Sequence, residues 1–281
     1  MKKWNLVIDV AKCFNCNNCA LACHDEYYDN SHPGYTESMP RLGHRWVDIV
    51  QRETGKQPMV EVSYMPIMCN HCDDAPCIKA AENNAVTKRD DGIVLIDPEK
   101  SKGQKQIVDA CPYNAVFWNE EKLIPQAWPF DAHLLDQGWK QTRGCQACPT
   151  GAMVTLHVED DEMQQLARKQ ELEVLKPELG QRPRVYYKNL QRMRDVFIGG
   201  SVYVTTDGIE ECIEGINVVL EGGESPRQVS TDTFGDFKFT GLKPDGRQYT
   251  LRIDSGQYRA DTIPVKLLDS VYVGAIQMSQ V

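Results

Sequence analysis

Ten of the eleven cysteines in this 281-residue chain lie between Cys13 and Cys148, and only Cys212 follows. The first four form the run Cys13-x2-Cys16-x2-Cys19-x3-Cys23. Three thiolates at that interval can wrap one iron-sulfur cube on a tight loop, while the fourth, opening a helix, ligates the other cluster of a pair. His24 stands where a proline usually follows. Zinc is the alternative for an isolated Cys-x2-Cys pair, but a four-cysteine run of this spacing points to iron and sulfide.

The other cysteines look broken until they are combined. Cys69-x2-Cys72-x4-Cys77 has Ala81 where a fourth thiolate would stand, and Cys111-Pro112 is preceded by Ser101, Gln104 and Ile107 at the places of its three companions. If fourth cysteines are exchanged between motifs, Cys69, Cys72 and Cys77 take Cys111. The reciprocal site of Ser101, Gln104, Ile107 and Ala81 then loses all four ligands together, so no fourth cluster is expected. By the same rule Cys13, Cys16 and Cys19 take Cys148, which Pro149 follows. Two complete four-thiolate sites, each for a [4Fe-4S] cluster, result. Cys23 and Cys145 remain, with Trp128 and Asp131 at the places of a missing pair. Asp131 can ligate iron through oxygen and Trp128 cannot, so the third site is read as a [3Fe-4S] cluster, an oxygen-ligated [4Fe-4S] cluster, or empty.

Other side chains near these motifs have plainer readings. His71 is expected to be a hydrogen-bond donor beside the ligands or an exposed side chain. His24, His44, His133 and His157 have no partners at ligand spacing. Cys212 is expected to be a buried small apolar residue, and Tyr186 and Tyr187 to pack rather than carry electrons.

The elements that must hold these groups fall into three stretches. Residues 1–158 are rich in Cys, Asn and Pro, and the cysteine-free segments His24 to Met68 and Pro112 to Gly144 read as long loops, which are usually functional or lie against a partner. Residues 159–195 read as a linker: a helix from Glu159 to about Val174, with an acidic first turn suited to the helix dipole, then an extended basic-aromatic arm, Arg182 to Lys188, either solvated or docking a partner. Residues 196–281 alternate in short runs (Ser201 to Thr205, Ile216 to Leu220, Phe237 to Phe239, Tyr249 to Ile253, Val271 to Met278) punctuated by Asp207-Gly208, Gly222-Gly223, Asp245-Gly246 and Ser255-Gly256, the pattern of a small antiparallel β-sandwich. The class is α+β.

Charge and hydropathy exclude other roles. Forty acidic against 31 basic side chains give a formal charge of -9, which repels a nucleic-acid backbone. No catalytic constellation stands out. The opening segment lacks a signal-peptide apolar core, and no run approaches the roughly 20 apolar residues of a membrane span. Clustered cysteines without a secretory signal fit metal binding in a cytoplasmic chain.

In these motifs the chain resembles the iron-sulfur small subunits of the molybdopterin oxidoreductase family, which carry four cysteine motifs in two pseudo-symmetric, ferredoxin-like halves. Asp97-Pro98-Glu99-Lys100, Ala132-His133-Leu134-Leu135, Lys176-Pro177-Glu178-Leu179-Gly180 and Arg184-Val185-Tyr186-Tyr187-Lys188-Asn189-Leu190 bring it nearest to the transhydroxylase branch. Thr231-x3-Gly235-Asp236-Phe237-Lys238-Phe239, followed by Gly241-Leu242, is similar to transthyretin-like or Cna-B-type sandwiches. In the nitrate-reductase branch a Trp at a ligand place accompanies a three-iron cluster. The resemblance implies a non-catalytic electron-transfer subunit. Its partner would be a large subunit with a bis-pterin molybdenum or tungsten centre, acting on polyhydroxylated aromatics by transhydroxylation or dehydroxylation. The alternatives are an electron-transfer subunit of another DMSO-reductase-family enzyme, for sulfur compounds or arsenate, and a structural zinc protein.

Overall fold

The computed structural model describes residues 1–280. The chain divides into two units, Met1–Gln51 with Ser63–Leu190, and Arg52–Val62 with Gln191–Val281. Helices are few and short and strands are many.

The first unit runs β1 (Lys3–Asp9), α1 (Asn18–Tyr27), β2 (Val47–Lys56), β3 (Met59–Met68), α2 (Pro76–Ala80), β4 (Val86–Lys88), β5 (Val94–Ile96), α3 (Gln106–Asp109), β6 (Phe117–Asn119), β7 (Ile124–Gln126), α4 (Ala132–Asp136), α5 (Arg143–Ala147), β8 (Met153–Val158), α6 (Asp160–Lys169) and β9 (Val185–Lys188). Its one three-stranded sheet has the order β8-β1-β9. β1 is central, antiparallel to β8 and parallel to β9, with Leu6 opposite both Thr155 and Val185. A strand covered on both faces reads as a continuous apolar run, and Trp4 to Ile8 are all buried. β2-β3, β4-β5 and β6-β7 are two-stranded hairpins.

The second unit contains β10 (Val196–Thr206), β11 (Ile209–Cys212), β12 (Asn217–Glu221), β13 (Arg227–Ser230), β14 (Asp236–Leu242), β15 (Gln248–Asp254), β16 (Tyr258–Arg259), β17 (Ile263–Lys266), β18 (Val271–Gln277) and β19 (Ser279–Gln280). β10 pairs antiparallel with β11 and β14 and parallel with β18. A second sheet has the order β13-β12-β15-β16-β19, with β17 beside β15. Ile198, Phe237 and Phe239 from one sheet and Val218, Leu220 and Leu251 from the other share one core. Each fully buried side chain of this kind contributes roughly 1.5–3 kcal/mol. The tip of the β2-β3 hairpin belongs to this unit. Arg52 donates to the carbonyls of Arg192, Arg194 and Asp195, Thr54 donates to Asp269 and Ser270, and Glu61 pairs with Lys238 at 2.5 Å. A Cβ on Gly199 would stand 2.3 Å from the Met59 sulfur, so glycine there lets the hairpin lie against β10.

Four expectations change. The presumed loops His24 to Met68 and Pro112 to Gly144 contain the β2-β3 and β6-β7 hairpins. The helix after Glu159 stops at Lys169, because Glu171 turns left-handed at φ 53° and Glu173 pairs with Tyr187. The arm is not solvated: Val185 to Lys188 form β9, and Val185 and Tyr187 are fully buried. Cys212 is exposed, since it lies on β11, whose four residues all face solvent.

Candidate iron-sulfur centres

Cys13, Cys16 and Cys19 follow β1 on the loop that enters α1. Asn15 and Asn17 take left-handed conformations at φ 63° and 61°, which Asn tolerates better than most residues. The turn they make aims the Asn15 backbone N–H at the Cys13 sulfur. Cys148 arrives from α5, tied to α1 by Asn18, which donates to the Ala147 carbonyl. Burial chiefly, with Cys13, Cys16 and Cys148 adding to it, pushes the Cys19 thiol up to about 12. Burial, then Cys148 and Cys16, raise Cys13. Each of Cys16 and Cys148 thus weighs electrostatically on both Cys13 and Cys19. Cys148 differs. Burial raises its pKa, but the Thr150 hydroxyl and the N–H groups of Met153, Ala152 and Thr150 outweigh it, and its pKa falls below the ordinary thiol value.

Cys69 and Cys72 precede α2, Cys77 lies within it, and Cys111 follows α3. Burial dominates again, raising Cys72 to about 12 and Cys77 to about 11, and Cys111 raises both. Cys69 is raised by burial, then by Cys77 and Cys111. The Ala115 N–H reaches the Cys111 sulfur at 3.5 Å. Cys69 and Cys77 line a small cavity with Val94, Ile96, Val116 and Ala127. His71, between two of these cysteines, is buried rather than exposed. Its Nδ1 accepts from the Val94 N–H at 3.0 Å. Burial, then Lys88 and Arg184, depress its pKa to about 3, so it is neutral.

Cys23 and Cys145 are both buried, and both lie near Asp131, whose charge raises each thiol. The Asp131 carboxylate is itself buried. Its Oδ1 accepts from the Tyr27 hydroxyl at 2.7 Å and the Trp128 indole N–H at 2.8 Å. Its Oδ2 accepts from the Arg143 N–H at 2.7 Å. A carboxylate has about four lone-pair sites, so one remains open. The Thr155 hydroxyl donates to the Cys145 sulfur at 3.1 Å. The structure thus brings Cys23, Cys145 and Asp131 together and leaves Trp128 beside them as a donor to Asp131.

The reciprocal place is filled with protein. Ser101 and Ile107 are fully buried. Gln104 spans the gap: its Oε1 accepts from the Glu82 N–H at 2.8 Å, and its Nε2 donates to the Lys100 and Glu82 carbonyls.

Several neighbours carried no signal in the sequence. Lys88 on β4 donates to the carbonyls of His71, Cys72 and Gly92 at 2.9–3.0 Å and pairs with Asp73 at 3.0 Å. Burial lowers its pKa from the usual lysine value, while Asp73 supports its charge. Arg184 is buried, holds both oxygens of Asp73 at 2.7 Å, and reaches Asp160 and Asn5. Glu26, His32 and His133, unpaired at ligand spacing in the sequence, place three ligand atoms within 4.8 Å. They form a hydrogen-bonded cluster in which His133 meets Glu26 at 2.8 Å, with the Arg143 guanidinium 3.0 Å from the other Glu26 oxygen.

The donor sets suit clusters better than single ions. Tetrahedral zinc with bonds of about 2.3 Å requires sulfurs about 3.8 Å apart. Among the described residues, no three cysteines bring their sulfurs within 4.8 Å of one another. Buried thiols that raise one another's pKa favour a cationic iron core, which takes them as thiolates, and the N–H groups aimed at Cys13, Cys111 and Cys148 can stabilise those thiolates.

A 4Fe-4S dicluster domain family matches residues 60–158. The pyrogallol hydroxytransferase small subunit of Pelobacter acidigallici is 44% identical over 94% of this chain and 96% of its own length. A tetrathionate reductase subunit of Salmonella typhimurium is 31% identical over 70% of this chain and 75% of that one. The arsenate respiratory reductase iron-sulfur subunit of Shewanella is 32% identical over 47% and 52%. Among solved structures, the shaft pilin SpaA of Lactobacillus rhamnosus GG aligns at a TM-score of 0.24 and 13% identity, over 31% of this chain and 50% of that chain, too slight a likeness to carry an argument.

Proposed function

The chain belongs to the family of iron-sulfur small subunits of molybdopterin oxidoreductases, and on that premise we propose that it carries electrons for a large subunit with a bis-pterin molybdenum or tungsten centre acting on a polyhydroxylated aromatic. The electron-transfer role is supported by two groups of cysteines whose charges weigh on one another, Cys13, Cys16, Cys19 and Cys148, and Cys69, Cys72, Cys77 and Cys111. Each set would hold one [4Fe-4S] cluster. When bound, such clusters store and pass single electrons at potentials of roughly -700 to +450 mV, set by charge, hydrogen bonds and exposure. The chain's residues supply those settings: N–H groups at Cys13, Cys111 and Cys148, and a hydroxyl at Cys145.

A third cluster, [3Fe-4S] or [4Fe-4S], is proposed on Cys23, Cys145 and Asp131; the open lone-pair site of Asp131 supports it. No fourth cluster is proposed, because Gln104 and Ile107 occupy that place. The two-half cluster domain is proposed to be ferredoxin-like, supported by the paired helix and hairpin elements around each cysteine set. The unit containing β10 to β19 is proposed to be a transthyretin-like or Cna-B-like sandwich, supported by two sheets around one core. No helix among the described residues is long and apolar enough to cross a membrane, and the free thiols fit a cytoplasmic location.

The substrate class rests on 44% identity to the pyrogallol hydroxytransferase small subunit. The likeness to subunits of tetrathionate and arsenate reductases favours the second reading, a partner in another enzyme of that group. Co-purification with a large subunit, followed by assay on phenolic substrates, tetrathionate and arsenate, decides between them. Iron and acid-labile sulfide should come to about 8 atoms of each for two cubes and about 12 for three. Zinc without sulfide would sink the cluster reading. Cys111→Ala and Cys69→Ala should abolish the same EPR signal; loss of two different signals would refute the shared site.

A further inference from the structure

Charge is distributed unevenly around the three cysteine sites. Beside Cys69, Cys72, Cys77 and Cys111 stands a network of Lys3, Lys88 and Arg184 with Asp73 and Asp160, three cations against two carboxylates. Its innermost member is Lys88. The ammonium touches four oxygens, the carbonyls of His71, Cys72 and Gly92 and a carboxylate oxygen of Asp73. All four are acceptors, which suits the three N–H donors of an ammonium better than a neutral amine, whose lone pair would find no donor there. Two of those carbonyls belong to the ligand loop itself, and the Lys88 charge is felt at both Cys72 and Cys77. At the other sites the neighbours that weigh on Cys13 and Cys19 are thiols of their own set, and Cys23 faces the carboxylates of Asp131 and Glu26, the latter paired with the Arg143 guanidinium.

We infer that Lys88 raises the reduction potential of the centre on Cys69, Cys72, Cys77 and Cys111. A cluster gains one negative charge on reduction, and a fixed cation behind its ligand loop stabilises that state relative to the oxidised one. One electron enters and no bond or proton moves. The inference rests on the proposed cluster sites, and it goes beyond them by assigning control of one centre's potential to a residue that ligates nothing.

The test is an EPR-monitored redox titration of the full chain purified anaerobically with its iron and sulfide, the signal of this centre being the one lost in Cys111→Ala. Lys88→Met should make reduction of that centre at least about tenfold less favourable, about 59 mV for one electron, while the other signals hold. Lys88→Arg should stay near the parent value. Asp73→Asn, which removes an anion from the same network, should shift the potential the opposite way. A purely structural role for Lys88 predicts no such reversal of sign. An unchanged potential in Lys88→Met, or an Asp73→Asn shift of the same sign, would overturn the inference. If Lys88→Met fails to assemble, Lys88→Gln, which removes the same charge and keeps a donor for the carbonyls, takes its place. Absence of any signal that depends on Cys111 would instead defeat the cluster reading.

Discussion

Asp131 shows how one side chain can serve structure and ligation together. It sits in the left-handed region at φ 52°, its carboxylate is buried, and burial raises its pKa despite donors from Tyr27, Trp128 and the Arg143 backbone. Asp131→Ala would strand those three buried donors, at about 1–3 kcal/mol for each group left unpaired. Denaturant unfolding should therefore show a loss of about 3 kcal/mol or more even in chain free of iron. Asp131→Asn, which keeps an oxygen for Tyr27 and Trp128 but turns an amide NH2 toward the Arg143 N–H, should lose less. The thiols give a pH signature at the same scale. Burial lifts Cys19 and Cys72 from 9.0 to about 12, so the unfolded chain releases these protons first. Stability of the iron-free, reduced chain is full below about pH 9 and falls as pH rises toward about 12. Urea midpoints measured from about pH 7 to about pH 11 should show that decline, and the iron-loaded chain, whose thiols are already deprotonated, should lack it.

Among the elements, the cysteine motifs are legible because ligand chemistry fixes spacing along the chain, and the proposed exchange of fourth cysteines rests on two defects that cancel. Gln104 was legible only as a missing ligand. Its three hydrogen bonds to Glu82 and Lys100 show what replaced the thiolate: a polar brace between α3 and the turn after α2. Gln104→Leu should cost about 1–3 kcal/mol in thermal or denaturant unfolding, because the Glu82 N–H and the Lys100 carbonyl lose their Gln104 partners. It should leave the iron content unchanged. The solvated reading of the arm fails for a physical reason. Arg182, Arg184 and Lys188 look like a solvated stretch, but Arg184 is buried by carboxylates 111 and 24 residues away, and no local pattern announces such partners. Lys88 is hidden in the same way, one charged residue on a three-residue strand.

At the scale of the whole molecule, the boundary expected near residue 196 is incomplete, since the second unit also takes Arg52–Val62 from the first third of the chain. Gly55 and Pro58 mark that hairpin's turn in the sequence, but nothing local shows where its tip packs. The tip brings Met59 against Gly199 and sets Arg52 and Thr54 in hydrogen bonds to residues far later in the chain, from Arg192 to Ser270. A chain truncated after Leu190 should therefore aggregate or unfold at lower temperature than the full chain, because the hairpin tip loses every one of those partners. Replacing residues 52–62 by a short turn in that truncated chain should recover solubility and iron content. Recovery without the replacement would show that the tip needs no cover.

The same hairpin sets a schedule for synthesis. Residues 52–62 emerge early, but the strand they lie against begins at Val196 and its parallel neighbour β18 ends at Gln277. At about 5–20 residues per second, the tip waits roughly ten to forty seconds for its last partners. All ten cysteines of the cluster motifs have emerged well before that wait ends, so iron and sulfide can be delivered to a nascent chain whose second unit does not yet exist.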